Sequence, residues 1–156
     1  MKKWVELMVF VGPSGSGKST YAEQLKKIGY AHVSSDYMRA LLYGDESIQT
    51  NPAKVFKFCR ELTAFYLNRG INVIFDATNL TRRDRIKLLE DIKELLSGEY
   101  EVEYNCNVFT TSIETCIARQ DMRSRKVSKE VIEKQFNKYE KPTIDEGWDS
   151  IWMVWQ

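Results

Sequence analysis

The run Gly12-Pro13-Ser14-Gly15-Ser16-Gly17-Lys18-Ser19 fills every fixed place of the pattern G-x-x-x-x-G-K-S, and no other stretch restricts the fold as much. Such a loop needs a strand before it and a helix after it. Val5-Glu6-Leu7-Met8-Val9-Phe10-Val11 is mostly apolar and short, as a buried strand is. After the loop, Tyr21, Leu25 and Ile28 recur at helical spacing. Glycines let the backbone curl so that successive N–H groups point at phosphate oxygens. The following helix adds the positive end of its dipole. Lys18 can reach β- and γ-phosphates, and the Ser19 hydroxyl can ligate Mg²⁺. A glycine- and serine-rich turn is the bland alternative. The matching flanks favour a bound nucleoside triphosphate, with Gly12 to Thr20 as its contact run.

With 156 residues the chain has the size of one domain, read as 1–156, and 43% hydrophobic residues suffice for one buried core. Its net charge of +1 means that no global field draws it onto nucleic acid or an anionic membrane. Contacts of that kind must come from local patches. Cys59, Cys106 and Cys116 stand far apart with no C-x-x-C pair, which points to buried reduced thiols. No apolar run reaches membrane-spanning length, and the residues before Gly12 lack a cleavage-type end. A protein of the reducing cytoplasm with no membrane partner is expected.

Strands and helices then alternate. Ala31-His32-Val33-Ser34 reads as a second strand, followed by a helix over 37–42 that stops near Gly44. Asn51-Pro52 restarts a helix whose apolar stripe is Val55, Phe58, Leu62, Phe65 and Tyr66, ended by Gly70. Ile71 to Phe75 is the clearest internal strand. Thr81 caps a helix carrying Ile86, Leu89, Ile92, Leu95 and Leu96 on one side. Val102 to Phe109 is a fourth strand, and Thr111-Ser112 caps a helix running into Met122. Ser128 caps a further helix that Pro142 closes, and Ile151 to Trp155 is a terminal strand. This alternation predicts a parallel α/β sheet covered on both faces, with ligands beyond the carboxyl ends of its strands.

Three groups therefore stand out. Asp36 follows the second strand, where a carboxylate can accept the proton of an attacking hydroxyl or help to hold a metal. Arg39 lies one helical turn on, on the same face. A helix N-cap Asp beside a solvated Arg is the structural alternative. Asp76 ends an apolar strand, where it can orient Mg²⁺ or fix a neighbouring side chain. Arg119 and Arg123 are four residues apart on one helical face, and Arg125, Lys126 and Lys129 follow. They can form a lid over a transferring phosphoryl group, or an exposed basic face paired with Asp121 or Glu130. His32 is expected to pack rather than act as a base, and Trp148, Trp152 and Trp155 are expected to pack rather than stack on bases.

Taken together, these residues resemble the 5′-polynucleotide kinase family over nearly the whole chain. Gly12 to Thr20 is similar to the family's G-x-P-G-S-G-K-S-T, with Pro13 and Ser14 one place earlier. Asp36-Tyr37-Met38-Arg39 resembles its D-x-x-R acceptor motif, and Asp76-Ala77-Thr78-Asn79 its D-x-T-N strand end, followed by basic Arg82-Arg83. Arg119 and Arg123 match its two lid arginines. Lys141-Pro142-Thr143-Ile144-Asp145-Glu146-Gly147-Trp148 is similar to its P-T-x-x-E-G-F run, with Trp for Phe. The phosphate loop alone is shared by many families; the other motifs are more specific.

The resemblance implies a P-loop kinase fold, three-layer α/β/α around a mostly parallel five-stranded sheet. It implies ATP and Mg²⁺ as cofactors, and transfer of the γ-phosphate to a 5′-hydroxyl end of DNA or RNA. Lys18, Asp36, Arg39, Asp76, Arg119 and Arg123 would be the catalytic set, with Asp36 as general base and Arg39 on a substrate phosphate. The D-x-D-x-T phosphatase motif of larger members is missing, so a kinase without that domain is expected. Two other readings share the loop: a kinase acting on a small molecule, a nucleoside or a charged tRNA, and an ATP-gated interaction module with slow hydrolysis.

Overall fold

The first strand, β1 (Trp4–Val11), sorts its residues by parity. Val5, Leu7, Val9 and Val11 are buried in one cluster, and Phe10 in another on the opposite face. The computed structural model describes residues 1–155. After β1 come α1 (Lys18–Lys26), β2 (Ala31–Ser34), α2 (Ser35–Tyr43), α3 (Pro52–Leu67), β3 (Val73–Asp76) and α4 (Arg82–Leu95). Then follow β4 (Glu101–Phe109), α5 (Ile113–Ala118), α6 (Lys129–Lys138) and β5 (Ser150–Val154). Single 3₁₀ turns lie at Arg119–Met122 and Ile144–Glu146. The sheet order is β2-β3-β1-β4-β5, and all four pairings are parallel, where a mostly parallel sheet was expected. Successive strands step one way from β1 and then the other, so the switch point lies at the carboxyl end of β1. The phosphate loop starts there. None of the described helices is long and apolar enough to cross a membrane.

The two faces of the sheet are covered unequally. The larger core packs the odd β1 residues and Phe75 against Val55, Cys59, Leu88 and Ile92 of α3 and α4. The smaller joins Phe10, Ile74 and Phe109 to Ala22 of α1, with Tyr21 and Leu25 packed against it. Toward the amino ends of the strands this second face turns polar. Glu6 accepts hydrogen bonds from the Tyr30 hydroxyl and the Asn105 amide. Trp4 and Trp152, on the same face by register, are 64% and 62% exposed. The expectation that the carboxyl-terminal tryptophans pack thus holds for Trp148 alone; Trp152 and Trp155 are exposed. β5 is an edge strand, and on this face only its Val154 packs against the cluster that α1 covers.

Other helical stripes shift from their expected positions. In α3 the buried line is Val55, Cys59, Thr63 and Leu67, while Phe65 turns outward under the Arg69 guanidinium, 3.6 Å from its ring centroid. α1 ends at Lys26, so Ile28 lies beyond it and is exposed. α6 ends at Lys138, ahead of Pro142. In α4 the buried residues are Arg85, Leu88, Leu89 and Ile92, and Leu95 is exposed. The cause is Arg85. Its guanidinium donates to Glu146 Oε1 and Oε2 at 2.8 and 3.0 Å and to the carbonyls of Asn79 and Leu80 at 3.0 and 2.8 Å. Both side chains of this pair are 0% exposed. Trp148 Nε1 also donates to Glu146, at 3.0 Å. The P-T-x-x-E-G-W run is therefore a lock that ties the second 3₁₀ turn to α4 and to the loop after β3. The three cysteines are buried and unpaired, as expected.

Candidate active site

The carboxyl ends of β1, β2 and β3 converge on one cleft of about 750 Å³, walled by the segment from Arg119 to Arg125. On its floor is the phosphate loop. Gly15 and Gly17 have φ of +82° and +103°, in the left-handed region where a side chain is strained. A Cβ on Gly15 would stand 2.7 Å from the Cys116 carbonyl oxygen, so space as well as conformation demands glycine. Gly17 is the N-cap of α1 and has no side chain to close the first turn, which leaves the helix N–H groups to the loop. The fully buried Ser16 Oγ has no hydrogen-bond partner among the described residues. Left-handed glycines and open helix N–H groups fit a nucleotide phosphate. Lys18 Nζ donates to the carbonyls of Gly12 and Pro13 at 2.9 and 2.8 Å. Burial pushes its pKa down, and the Asp76 carboxylate opposes this. Neighbouring segments clamp the loop. Gly12 N donates to Thr78 O, Thr111 Oγ1 to Ser16 O, and Asn79 Nδ2 to Phe10 O at the end of β1. Gln135 of α6 accepts from Ser14 N at 2.9 Å.

Asp76 closes β3, in register with Ser34 of β2. Its Oδ2 accepts from Ser19 Oγ at 3.1 Å and bonds His32 Nε2 at 2.8 Å. His32 does pack, with a side chain 2% exposed, but its bond to Asp76 was not anticipated from the sequence. No motif spacing joins residues 32 and 76; only the parallel pairing of β2 with β3 brings them together.

Asp36 does not cap its helix. The N-cap of α2 is Ser34, whose side chain accepts from Tyr37 N. The capping alternative is thereby removed. Asp36 Oδ1 instead accepts from Arg39 Nη1 at 3.1 Å and from Arg125 Nη1 at 2.9 Å. Arg39 is buried, 5.9 Å from the Phe56 ring centroid, and its Nε has no partner among the described residues. Arg125 was legible only as part of a basic stretch; its reach to Asp36 depends on how that stretch folds.

The expected helix through Arg119 and Arg123 is corrected. α5 stops at Ala118, Arg119 to Met122 form a 3₁₀ turn, and Arg123 is extended at φ −99°, ψ 144°. Gln120 explains the break. Its buried amide donates to the Cys116 carbonyl at 2.9 Å and accepts from Arg123 Nη1 and Val127 N at 3.3 and 3.1 Å. These side-chain bonds replace the backbone ladder. Arg119 Nη1 donates to Gly15 O at 3.1 Å. Among the described residues, neither arginine pairs with Asp121 or Glu130. Lys18, Asp36, Arg39, Asp76, Arg119 and Arg123 all line the cleft, with Ser14, Gly15, Gly17, Ser19 and Thr20. Gly12, Pro13 and Ser16 do not; they support the loop from behind.

Residues 7–142 match the family model described as "AAA domain". A curated relative in Autographa californica nuclear polyhedrosis virus, named "Putative bifunctional polynucleotide kinase/RNA ligase", is 30% identical over 150 residues. The match covers 86% of this chain but only 21% of that relative. Among solved structures, one named for the Pnkp1/Rnl/Hen1 RNA repair complex superposes with a TM-score of 0.68 at 23% identity, covering 88% of this chain and 45% of the other. A fungal RNA kinase gives 0.69 at 16% identity, over 98% and 75%. These two likenesses show the fold, that of P-loop kinases. The chain thus spans about a fifth of the curated relative it matches and under half of the first of these structures.

Proposed function

We propose that this chain, which belongs to the AAA domain family, transfers the γ-phosphate of ATP to the 5′-hydroxyl end of a polynucleotide. The observation that carries this reading is Asp36: a carboxylate in the cleft of the phosphate loop, free of capping duty and held by two guanidinium groups. The names of the viral relative and of the RNA repair and RNA kinase structures agree with it. The loop N–H groups hold the β- and γ-phosphates, and Lys18 neutralises the charge that gathers between them. Asp36 accepts the proton as the 5′-oxygen bonds to the γ-phosphorus and the bond to the β–γ bridging oxygen breaks, releasing ADP. Arg39 holds a phosphate of the acceptor strand. Ser19 and Asp76 offer two hard oxygens on one side of the cleft, bonded to each other at 3.1 Å, which fits Mg²⁺. Ser19 would hold that ion and Asp76 would orient it. When bound, it neutralises phosphate oxygens.

Single-turnover phosphorylation of an oligonucleotide with a 5′-hydroxyl, compared with nucleosides and water as acceptors, tests the reading. Transfer to the oligonucleotide is expected; transfer only to nucleosides, or hydrolysis alone, would refute it. In the same assay Asp36→Asn is expected to lose about 10²–10⁴-fold in rate. Melting with and without ATP should stay near that of the parent, since Ser34 caps the helix. A parental rate would remove Asp36 as the base.

Arg119 and Arg123 act on the spread charge of the transferring phosphoryl group. Each alanine variant is expected to transfer on the order of a hundredfold more slowly. Lysine is expected to rescue only in part, because a point charge lacks the planar fork. Normal single-turnover rates in both alanine variants would leave these residues as cleft walls.

A further inference from the structure

The structure assigns the chain's one histidine, His32, a task that its place in the sequence alone would not suggest. We propose that His32 is a positioning residue, whose Nε2–H grips Asp76 Oδ2 opposite Ser19 and leaves Oδ1 turned to the metal position of the cleft. This rests on the phosphotransfer reading only in needing a nucleotide with its metal; it is independent of the acceptor.

Three observations support it. First, the contact is short and sealed. The Nε2 to Oδ2 distance is 2.8 Å, and the two side chains are 2% and 5% exposed. An ionised carboxylate only accepts, so Nε2 carries the hydrogen. Second, Oδ2 is already taken up by two donors, Ser19 and His32, while Oδ1 accepts from none of the described residues and Asp76 lines the cleft. A carboxylate gripped at one oxygen from two sides cannot rotate, and it presents the other oxygen in a fixed direction. Third, nothing else accounts for the ring's polarity. Nδ1 is buried without a hydrogen-bond partner, and its nearest carboxylate, on Glu23, is 3.9 Å away. Tyr37 packs edge-on at 5.1 Å and fixes the plane of the ring. A side chain kept only for packing would be better served by an apolar residue at this site, which would leave no orphaned nitrogen. Hydrogen-bond partners behind a metal-directed carboxylate commonly tune metal affinity by about 10–100-fold.

The test compares His32→Leu, which removes the donor, with His32→Gln, whose side-chain amide reaches the place of Nε2, and His32→Asn, which falls short of it. The readout is the Mg²⁺ concentration needed for half of the ATP-induced shift in melting temperature, with ATP in EDTA as the metal-free arm. The leucine and asparagine variants are expected to need about tenfold more Mg²⁺ or beyond, with an unchanged shift in EDTA. The glutamine variant is expected to recover most of the loss. A parental Mg²⁺ requirement in the leucine variant would overturn the proposal. If leucine prevents folding, equal requirements in the glutamine and asparagine variants would overturn it. Because the assay contains no acceptor, a failure of the 5′-hydroxyl reading would leave its result intact, and the reverse also holds.

Discussion

Lys18→Ala is expected to lower phosphoryl transfer by on the order of a thousandfold while the protein stays folded. Lys18 Nζ sits in the loop on the Gly12 and Pro13 carbonyls, within the cleft that Asp36, Arg119 and Arg123 also line. Its contribution grows as negative charge moves toward the β–γ bridge, so the loss falls on the rate more than on binding. The effect on stability is expected to be small, because two contributions of opposite sign nearly cancel. Alanine gives up two charge-assisted bonds to backbone carbonyls. It also removes a cation whose burial is costly enough to push its pKa down. A melting temperature within a few degrees of the parent, together with a single-turnover rate near zero, is the expected pair of results. A well-folded variant with normal transfer would refute the donor site.

The largest effect on stability is expected at Arg85. Arg85→Met takes from the buried Glu146 carboxylate its two-pronged cation, leaving only Arg82 at 3.6 Å, and strands the carbonyl of Asn79. Breaking one side of a buried pair costs about 3–5 kcal/mol. Pairing Arg85→Met with Glu146→Leu should recover most of that, since a well-packed apolar pair removes both charges. The size of the pH dependence tests the coupling. Burial pushes the Glu146 pKa up, but the bonds from Arg85 and Trp148 outweigh it, and the carboxyl ends below its ordinary value. The neighbouring Asp145, bonded by Arg82 and Thr143, is held at about 2. Depressed carboxylates stabilise above their unfolded pKa, so the parent is expected to lose stability as pH falls below about 4. In Arg85→Met the bonds from Trp148 and Thr143 remain but those from Arg85 are gone, so the Glu146 pKa should rise from its depressed value and the variant should lose less stability on acidification than the parent. Urea unfolding at pH 7 and at about pH 3 reads both slopes; parallel slopes would mean that Glu146 is not coupled to Arg85.

Much of the fold was legible because its signals are local. The phosphate loop, the strand ends at Ser34 and Asp76, and the caps Asn51, Thr81, Ser112 and Ser128 are each set by neighbours in sequence. The misreadings share a different cause. The face of α4 was misassigned because a charge was buried there by Glu146, 61 residues away, and periodicity places no arginine in a core. The helix expected to carry Arg119 and Arg123 ended early because the Gln120 side chain took the Cys116 carbonyl and, beyond the helix, the Val127 amide, which no propensity anticipates. His32 and Arg125 joined Asp76 and Asp36 across 44 and 89 residues. The parts of the site built within one motif could be read; the parts built between motifs could not.

The uneven sheet has a colloidal consequence. With a net charge of +1 the molecule has almost no long-range repulsion between copies. The thinly covered face carries Trp4 and Trp152 beside an edge strand, a combination that invites strand-to-strand and face-to-face sticking. Glu6 and the exposed Glu103 stand on that same face, one on each of its neighbouring strands. Two such faces brought together set carboxylate against carboxylate before indole meets indole. That guard works only within a screening length of about 8 Å at physiological salt, and it vanishes when the carboxylates are protonated. Any resistance of this face to pairing with a second copy thus rests on a few short-range charges beside an edge strand.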